Sequence, residues 1–155
     1  WWKKVKDVKK IEKEFGPESL EINLKTFQHL LAQRPKAKIK PLLMDQKFIA
    51  GIGNIYSDEI LFASRVHPLR RVKTLSGKEI REILQNIQKI LKAAIRQGGS
   101  SVKDYLDAYG KKGNYTKYHK VYQKEGEKCL RCGAIIKRLK ISGRSAHFCP
   151  ICQKL

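Results

Sequence analysis

The sequence predicts a mainly α fold, a helical domain followed by a small β-hairpin module, and three observations predict it. An apolar stripe at Ile80, Ile83, Leu84, Ile87, Ile90, Leu91, Ala94 and Ile95 repeats with the period of a helix. Two shorter apolar patterns flank the turn Gly51-Ile52-Gly53-Asn54. Near the C-terminus, the four cysteines of the chain fall as Cys129-x2-Cys132 and Cys149-x2-Cys152, with 16 residues between the pairs.

Residues 1–22 read as a basic, weakly patterned linker, with Phe15-Gly16-Pro17-Glu18 as a turn. The chain opens on Trp1-Trp2 and its single methionine is Met44, so the expectation is a fragment preceded by a further, N-terminal domain. Asn23 is a helix cap, and the apolar face Leu24, Phe27, Leu30 and Leu31 follows it up to Pro35. A short helix then carries Ile39, Leu42, Leu43 and Met44, with Pro41 in the first turn, where a missing N–H costs nothing. After the glycine turn, Ile55, Tyr56, Ile60, Leu61 and Ala63 have helical spacing, and His67-Pro68 marks the stop. Ser76-Gly77-Lys78-Glu79 is a capping box for the long stripe, which Gly98-Gly99 terminates. Ser100 begins a shorter helix through Val102, Tyr105 and Leu106.

These elements make residues 23–109 a helical domain. Residues 110–126 read as a mobile, Tyr- and Gly-rich loop ending in a short strand at Val121-Tyr122, and residues 127–155 as the cysteine module. Within that module Ile135, Lys137, Leu139 and Ile141 alternate with Ile136, Arg138 and Lys140, the period of a strand. Ser142-Gly143 turns the chain, and Ala146 to Phe148 return as the second strand.

Two Cys-x-x-Cys knuckles at this spacing supply the four soft ligands of a closed structural site, so one Zn²⁺ on Cys129, Cys132, Cys149 and Cys152 is expected. Four protein thiolates leave no open position for a catalytic water. Disulfides would need an oxidising compartment, for which no secretory segment argues. His147 is surplus to the set and reads as a strand-surface residue, and His29, His67 and His119 are scattered. Asp58 and Glu59, adjacent on a helix, point apart and read as a solvated face; with Asp45 they make no acid–base pair.

The 155 residues hold 34 Lys plus Arg against 14 Asp plus Glu, a net charge of +20. Such an excess fits a polyanionic partner. No apolar run approaches the roughly 18 residues of a membrane span, and the helices use their apolar faces for a core, so nucleic acid is the expected polyanion. The helix start after Gly53 offers unpaired amides at the positive end of a dipole, a ready phosphate site. Asn54 adds a side-chain amide there, and Lys36, Lys38 and Lys40 add charge. A plain helical corner needing glycine for packing is the other reading of the same residues. Arg144, at the hairpin tip, is placed to enter a minor groove or grip phosphate, or else is a solvated turn residue.

The run Ile39-Lys40-Pro41-Leu42-Leu43-Met44-Asp45, then Gly51-Ile52-Gly53-Asn54-Ile55-Tyr56 and Glu59-Ile60-Leu61-Phe62-Ala63, resembles the helix–two-turn–helix segment of formamidopyrimidine-DNA glycosylases. Gln97-Gly98-Gly99-Ser100-Ser101 with Lys103-Asp104-Tyr105 looks like that family's next helix boundary. Val121-Tyr122, Gly126-Glu127-Lys128-Cys129 and the run Gly143 to Gln153 resemble its C-terminal zinc finger. Order and spacing match from about Phe15 to the last residue.

The resemblance implies a helix–two-turn–helix DNA-binding domain followed by a zinc-ribbon β-hairpin module. It implies an intracellular, bacterial, monomeric base-excision-repair protein. The parent would remove oxidised purines such as 8-oxoguanine and formamidopyrimidines, then cleave the abasic strand by β,δ-elimination. The family's proline-amine nucleophile has no counterpart in these residues, so the chain alone is expected to bind damaged or abasic double-stranded DNA without excision. Candidate DNA contacts are Lys40, Gly53, Asn54, Tyr122 and Arg144, with Asn54 on the phosphate beside the lesion and Arg144 in the minor groove or on phosphate. The segment from Gly110 to Tyr122 would lie over the flipped base; Lys111-Lys112-Gly113-Asn114-Tyr115 keeps only the Gly-rich beginning of the family pattern. Endonuclease VIII, the pyrimidine-lesion relative, stays open as an alternative. So do a basic ribosomal protein of the S-thirteen type, against which the paired Cys-x-x-Cys argues, and a free-standing zinc-ribbon regulator.

Overall fold

The computed structural model describes residues 14–100 and 113–155. Four helices come first, α1 (Leu24–Ala32), α2 (Ile39–Leu43), α3 (Asn54–Ala63) and α4 (Gly77–Arg96). Single 3-10 turns lie at Val72–Thr74 and Tyr115–Tyr118, and an antiparallel hairpin of β1 (Lys137–Ile141) and β2 (Arg144–Phe148) follows. Mainly α with a cysteine-clamped hairpin is the observed class.

The local signals work as their chemistry requires. Asn23 Oδ1 accepts from the Thr26 N–H at 2.9 Å and opens α1. At the start of α4, Ser76 Oγ accepts from the Glu79 N–H at 3.2 Å, and Glu79 Oε2 accepts from the Ser76 N–H at 2.7 Å. Phe27 and Leu31 of α1 meet Ile83, Leu84, Ile87 and Leu91 of α4 in one apolar core, which Ile39, Leu43, Ile49, Ile52, Ile60 and Leu61 complete. The stripe on α4 is not core to its end. Ile95 is 65% exposed, because at about 100° per residue it falls just outside the arc bounded by Ile90 and Leu84.

Between α2 and α3 the chain makes two turns around one side chain. Gln46 Nε2 donates to the Met44 and Ile52 carbonyls, and its Oε1 accepts from the Gly51 N–H. Gly51 has φ +92°, and a Cβ there would sit 3.0 Å from Ser19 Oγ. At Gly16 a Cβ would fall 2.6 Å from the Phe48 carbonyl, so the preceding segment lies against these turns only as glycine.

In the hairpin, Ser142 and Gly143 both take positive φ, 48° and 78°, a two-residue turn that sets Ile141 opposite Arg144. Phe62, Val121, Cys129, Ile136 and Cys149 form a second, small core. Phe62 comes from α3, so one helix serves both cores. The expected alternation is out of step at its start. Ile136 is buried and Ile135 half-exposed, because Ile136 pairs back to Gly126 and Glu127 before the strand begins.

One expectation between α4 and the hairpin needs correction. Val121-Tyr122 is not a strand but a turn, whose amides bond to a side chain described below. From Gly113 to Gly126 the described part of the expected loop is irregular apart from the 3-10 turn, with Tyr115 only 8% exposed. The helix expected through Val102, Tyr105 and Leu106, the residues Lys111-Lys112, and most of the opening segment lie outside the described residues. Among those described, no helix is long and apolar enough to cross a membrane.

Candidate metal centre and nucleic-acid interface

The sulfurs of Cys129, Cys132, Cys149 and Cys152 all lie within 4.8 Å of one another. Cys129 Sγ is 3.9 Å from Cys152 Sγ, and Cys132 Sγ is 3.4 Å from Cys149 Sγ. A tetrahedral ion with bonds of about 2.3 Å needs sulfurs about 3.8 Å apart, so the cluster fits one zinc. Backbone amides already point at the sulfurs, Arg131 N–H at Cys129 and Cys152 N–H at Cys149, both at 3.4 Å. Without a cation the four thiols cannot ionise together. Burial and the neighbouring cysteines push Cys152 up to about 12. Cys129, although burial works against it, is held at about 7 by the amides of Arg131 and Cys132. The site takes one structural zinc ion and leaves no ligand position open.

Asp58 and Glu59 overturn the expectation of a solvated face, being 1% and 4% exposed. Asp58 Oδ1 pairs with Lys40 Nζ of α2. Its Oδ2 accepts from the His147 N–H and lies against His147 Nδ1, each at 3.0 Å. Lys40 Nζ donates onward to the Ser145 carbonyl at 2.8 Å. Lys40, a candidate DNA contact on sequence, is therefore corrected to an interior residue, 1% exposed and committed to Asp58 and Ser145. Burial pulls its ammonium below the ordinary lysine range, and Asp58 draws it part of the way back. His147 is likewise not a surface residue but 6% exposed against the acid.

Glu59 reaches the other way. Its carboxylate accepts four hydrogen bonds of 2.9 to 3.0 Å from three consecutive amides, Lys120, Val121 and Tyr122. Burial pushes its carboxyl above the usual range, and the amides offset part of that rise. A sequence signal for these buried acids existed. α3 carries apolar residues around its whole circumference, Ile55, Tyr56, Ile60, Leu61, Phe62 and Ala63, which leaves no solvent face for acids to occupy. Buried acids must then be paired. Gln153 was also missed: it accepts from the Cys149 N–H at 2.9 Å and donates to the Val66 carbonyl at 3.0 Å, tying the knuckle to the turn after α3.

Gly53 is the N-cap of α3, with no side-chain cap bond, and no acid lies in the first turn. Its φ is −103°, and a Cβ there would meet nothing within 4 Å, so glycine leaves this helix start bare rather than relieving strain. Asn54 is the first helical residue, not the cap. Its Oδ1 is the single buried side-chain N or O atom without a partner among the described residues. Lys36 and Lys38 are exposed nearby in sequence. Arg144, exposed, opens β2 directly after the turn and enters no ion pair among the described residues. Tyr122 is half-buried, its ring edge-on between His119 at 5.6 Å and His147 at 5.2 Å.

Residues 15–105 match the formamidopyrimidine-DNA glycosylase H2TH domain, and residues 126–155 match the zinc finger found in FPG and IleRS. The chain is 43% identical over 150 residues to the formamidopyrimidine-DNA glycosylase of Streptococcus pneumoniae, covering 96% of this chain and 54% of that protein. It is 45% identical over 144 residues to that of Listeria innocua, covering 92% and 52%. In structure it is similar to Lactococcus lactis Fpg in complex with DNA containing an abasic site, with a TM-score of 0.85 and 41% identity over 94% of this chain and 54% of that one. MutM in complex with DNA containing carbocyclic 8-oxo-G gives a TM-score of 0.87 and 39% identity over 97% and 56%. The chain spans about half the length of the curated relatives it matches.

Proposed function

The chain belongs to the formamidopyrimidine-DNA glycosylase family, and from that premise we propose that it grips damaged double-stranded DNA on behalf of an enzyme that excises oxidised purines. The bare start of α3 carries the reading. Unpaired first-turn amides and the dipole favour an anion there, no acid lies in that turn, and the one unsatisfied buried side-chain atom among the described residues belongs to Asn54. The Asn54 side-chain amide has an NH₂ to donate to a phosphate oxygen, and Gly53 leaves room for the backbone of the nucleic acid. Arg144, free at the tip of a zinc-clamped hairpin, reaches a groove or a second phosphate, with the Tyr122 hydroxyl as a further donor. The protein acts inside the cell as a monomer, on duplexes bearing oxidised bases or abasic sites.

Fluorescence anisotropy on an abasic-site duplex across a salt series tests these residues. Asn54→Ala and Arg144→Ala should each weaken binding; Arg144→Ala should also lower the salt slope by about 0.9, whereas Asn54→Ala, which removes no charge, should leave the slope unchanged. Wild-type affinity and slope in both variants would remove these residues from the interface.

The 155 residues bind without excising. Excision by this family's chemistry needs an amine poised at C1′ of an extruded nucleotide, with an acid or base beside it. The buried Lys40, Asp58 and Glu59 are instead tied to one another's surroundings as structural partners. Borohydride trapping on an 8-oxoguanine duplex should give only the slow background expected of surface lysines. Rapid, stoichiometric capture would place an active site within this chain.

A further inference from the structure

We propose that the buried Lys40–Asp58 pair is a positioning device that locks the strand bearing Arg144 to the helix start bearing Asn54, and so sets the arginine's contact with DNA. The inference rests on the reading of Arg144 as a DNA contact and says what makes that contact possible.

Asn54 and Asp58 are four residues apart on α3, hence on one face, with Asp58 a turn deeper. The two-residue turn makes Ile141 and Arg144 a hydrogen-bonded pair, so bonded pairs recur at Ala146 and Phe148, and Ser145 and His147 turn their backbone groups to the outer edge of β2. That edge has no third strand among the described residues. Asp58 and Lys40 occupy its place. The carboxylate accepts from the His147 N–H at 3.0 Å, and the ammonium donates to the Ser145 carbonyl at 2.8 Å. The ion pair joins the two, so α2, α3 and β2 are pinned at the residue adjoining Arg144.

A buried ion pair is weak evidence for stability, since an apolar pair of similar volume often serves as well; its distinctive contribution is fixed geometry. An exposed arginine at the end of a two-stranded hairpin gains a fixed base from these bonds, because among the described residues the hydrogen bonds that tie its own strand to α2 and α3 are those of Lys40 and Asp58.

The test uses the zinc-loaded 155-residue chain and the double variant Lys40→Met/Asp58→Asn, which removes both charges together. Arg144→Ala alone should lower the salt slope of duplex binding by about 0.9. The double variant, with its full zinc equivalent, should show a like fall in slope, and adding Arg144→Ala to it should change nothing further. If the double variant loses zinc, Asp58→Asn alone, which breaks the ion pair while keeping the side chain's shape, carries the same comparison. A double variant that keeps wild-type slope and affinity, or whose effect adds to that of Arg144→Ala, overturns the inference. If Arg144→Ala itself leaves binding unchanged, the interface reading fails first and the positioning inference falls with it.

Discussion

Glu59 gives the sharpest quantitative prediction, because one carboxylate satisfies three consecutive amides. Glu59→Ala leaves all three without a partner. The Val121 N–H is buried, and leaving it unsatisfied costs about 1–3 kcal/mol. The Lys120 and Tyr122 bonds are only part-buried, so water can recover much of them, and about 0.5 kcal/mol each is a fair expectation. The sum is about 3 kcal/mol, or a fall in Tm of roughly 6–12 °C for a chain of this size. Glu59→Gln is the informative companion variant. Its carbonyl can take the place of Oε1, which receives all three amides, so it forgoes only the second bond from Lys120 and the charge assistance. That difference is about 1 kcal/mol. Urea unfolding of the zinc-loaded chain ranks the two, and hydrogen exchange at residues 120–122 should accelerate more in the alanine variant. Equal stability of wild type and Glu59→Ala, or equal damage from Gln and Ala, would refute the reasoning.

Other outcomes follow from single features. Metal analysis should give one zinc per chain; chelation should abolish exchange protection in β1 and β2 while α4 keeps its own, since the two cores are separate and metal binding supplies about 10–16 kcal/mol in isolated finger peptides. A protected hairpin in metal-free chain would contradict this. Gly51→Ala should cost about 1–2 kcal/mol in urea unfolding, because φ is +92° and Ser19 Oγ lies 3.0 Å from the new Cβ. Glu79 sits below the usual carboxylate range: partial burial alone would raise it, but the Ser76 amide and hydroxyl and Arg70 outweigh that. Its folded pKa being the lower one, its stabilisation is full above about pH 4.5 and fades as pH falls through the folded value. The stability gap between wild type and Glu79→Gln should therefore narrow as pH falls below the ordinary glutamate value of about 4.5. A constant gap would mean the carboxylate's charge is not what caps α4.

The parts of this fold that were legible in the sequence are those whose causes are local. The Ser76–Glu79 box, the Asn23 cap, the 3.6-residue stripe of α4 and the cysteine knuckles each complete their chemistry within a few residues or one module. The errors fall where a residue's partner is far along the chain. Asp58 meets His147 across 89 residues, Glu59 meets Val121 across 62, and Lys40 meets Ser145 across 105. Adjacent acids on a helix do point apart, as expected, but each points into a different part of the protein rather than into water. Of the candidate site, the zinc ligands were fully readable, and the sequence located Asn54 at the helix start after the glycine turn and Arg144 beside the hairpin turn, where the structure has them. Lys40 was not, because proximity to a basic stretch cannot reveal that a lysine turns inward.

The placement of these acids gives α3 a role beyond its own packing. Its Ile60 and Leu61 belong to the helical core and its Phe62 to the zinc-module core, so apolar contact joins the two bodies at one helix. Apolar contact alone is non-directional, and a module as small as the hairpin could settle on it in more than one orientation. Hydrogen bonds from Asp58 to β2 and from Glu59 to the turn at 120–122 admit only one, because each requires particular backbone groups at about 3 Å. Zinc thus makes the hairpin stable, and the paired acids decide where it points. If Asn54 and Arg144 both face DNA, as proposed, holding them on separate bodies at a set separation needs both, and burying charge at the junction is how this sequence obtains the second.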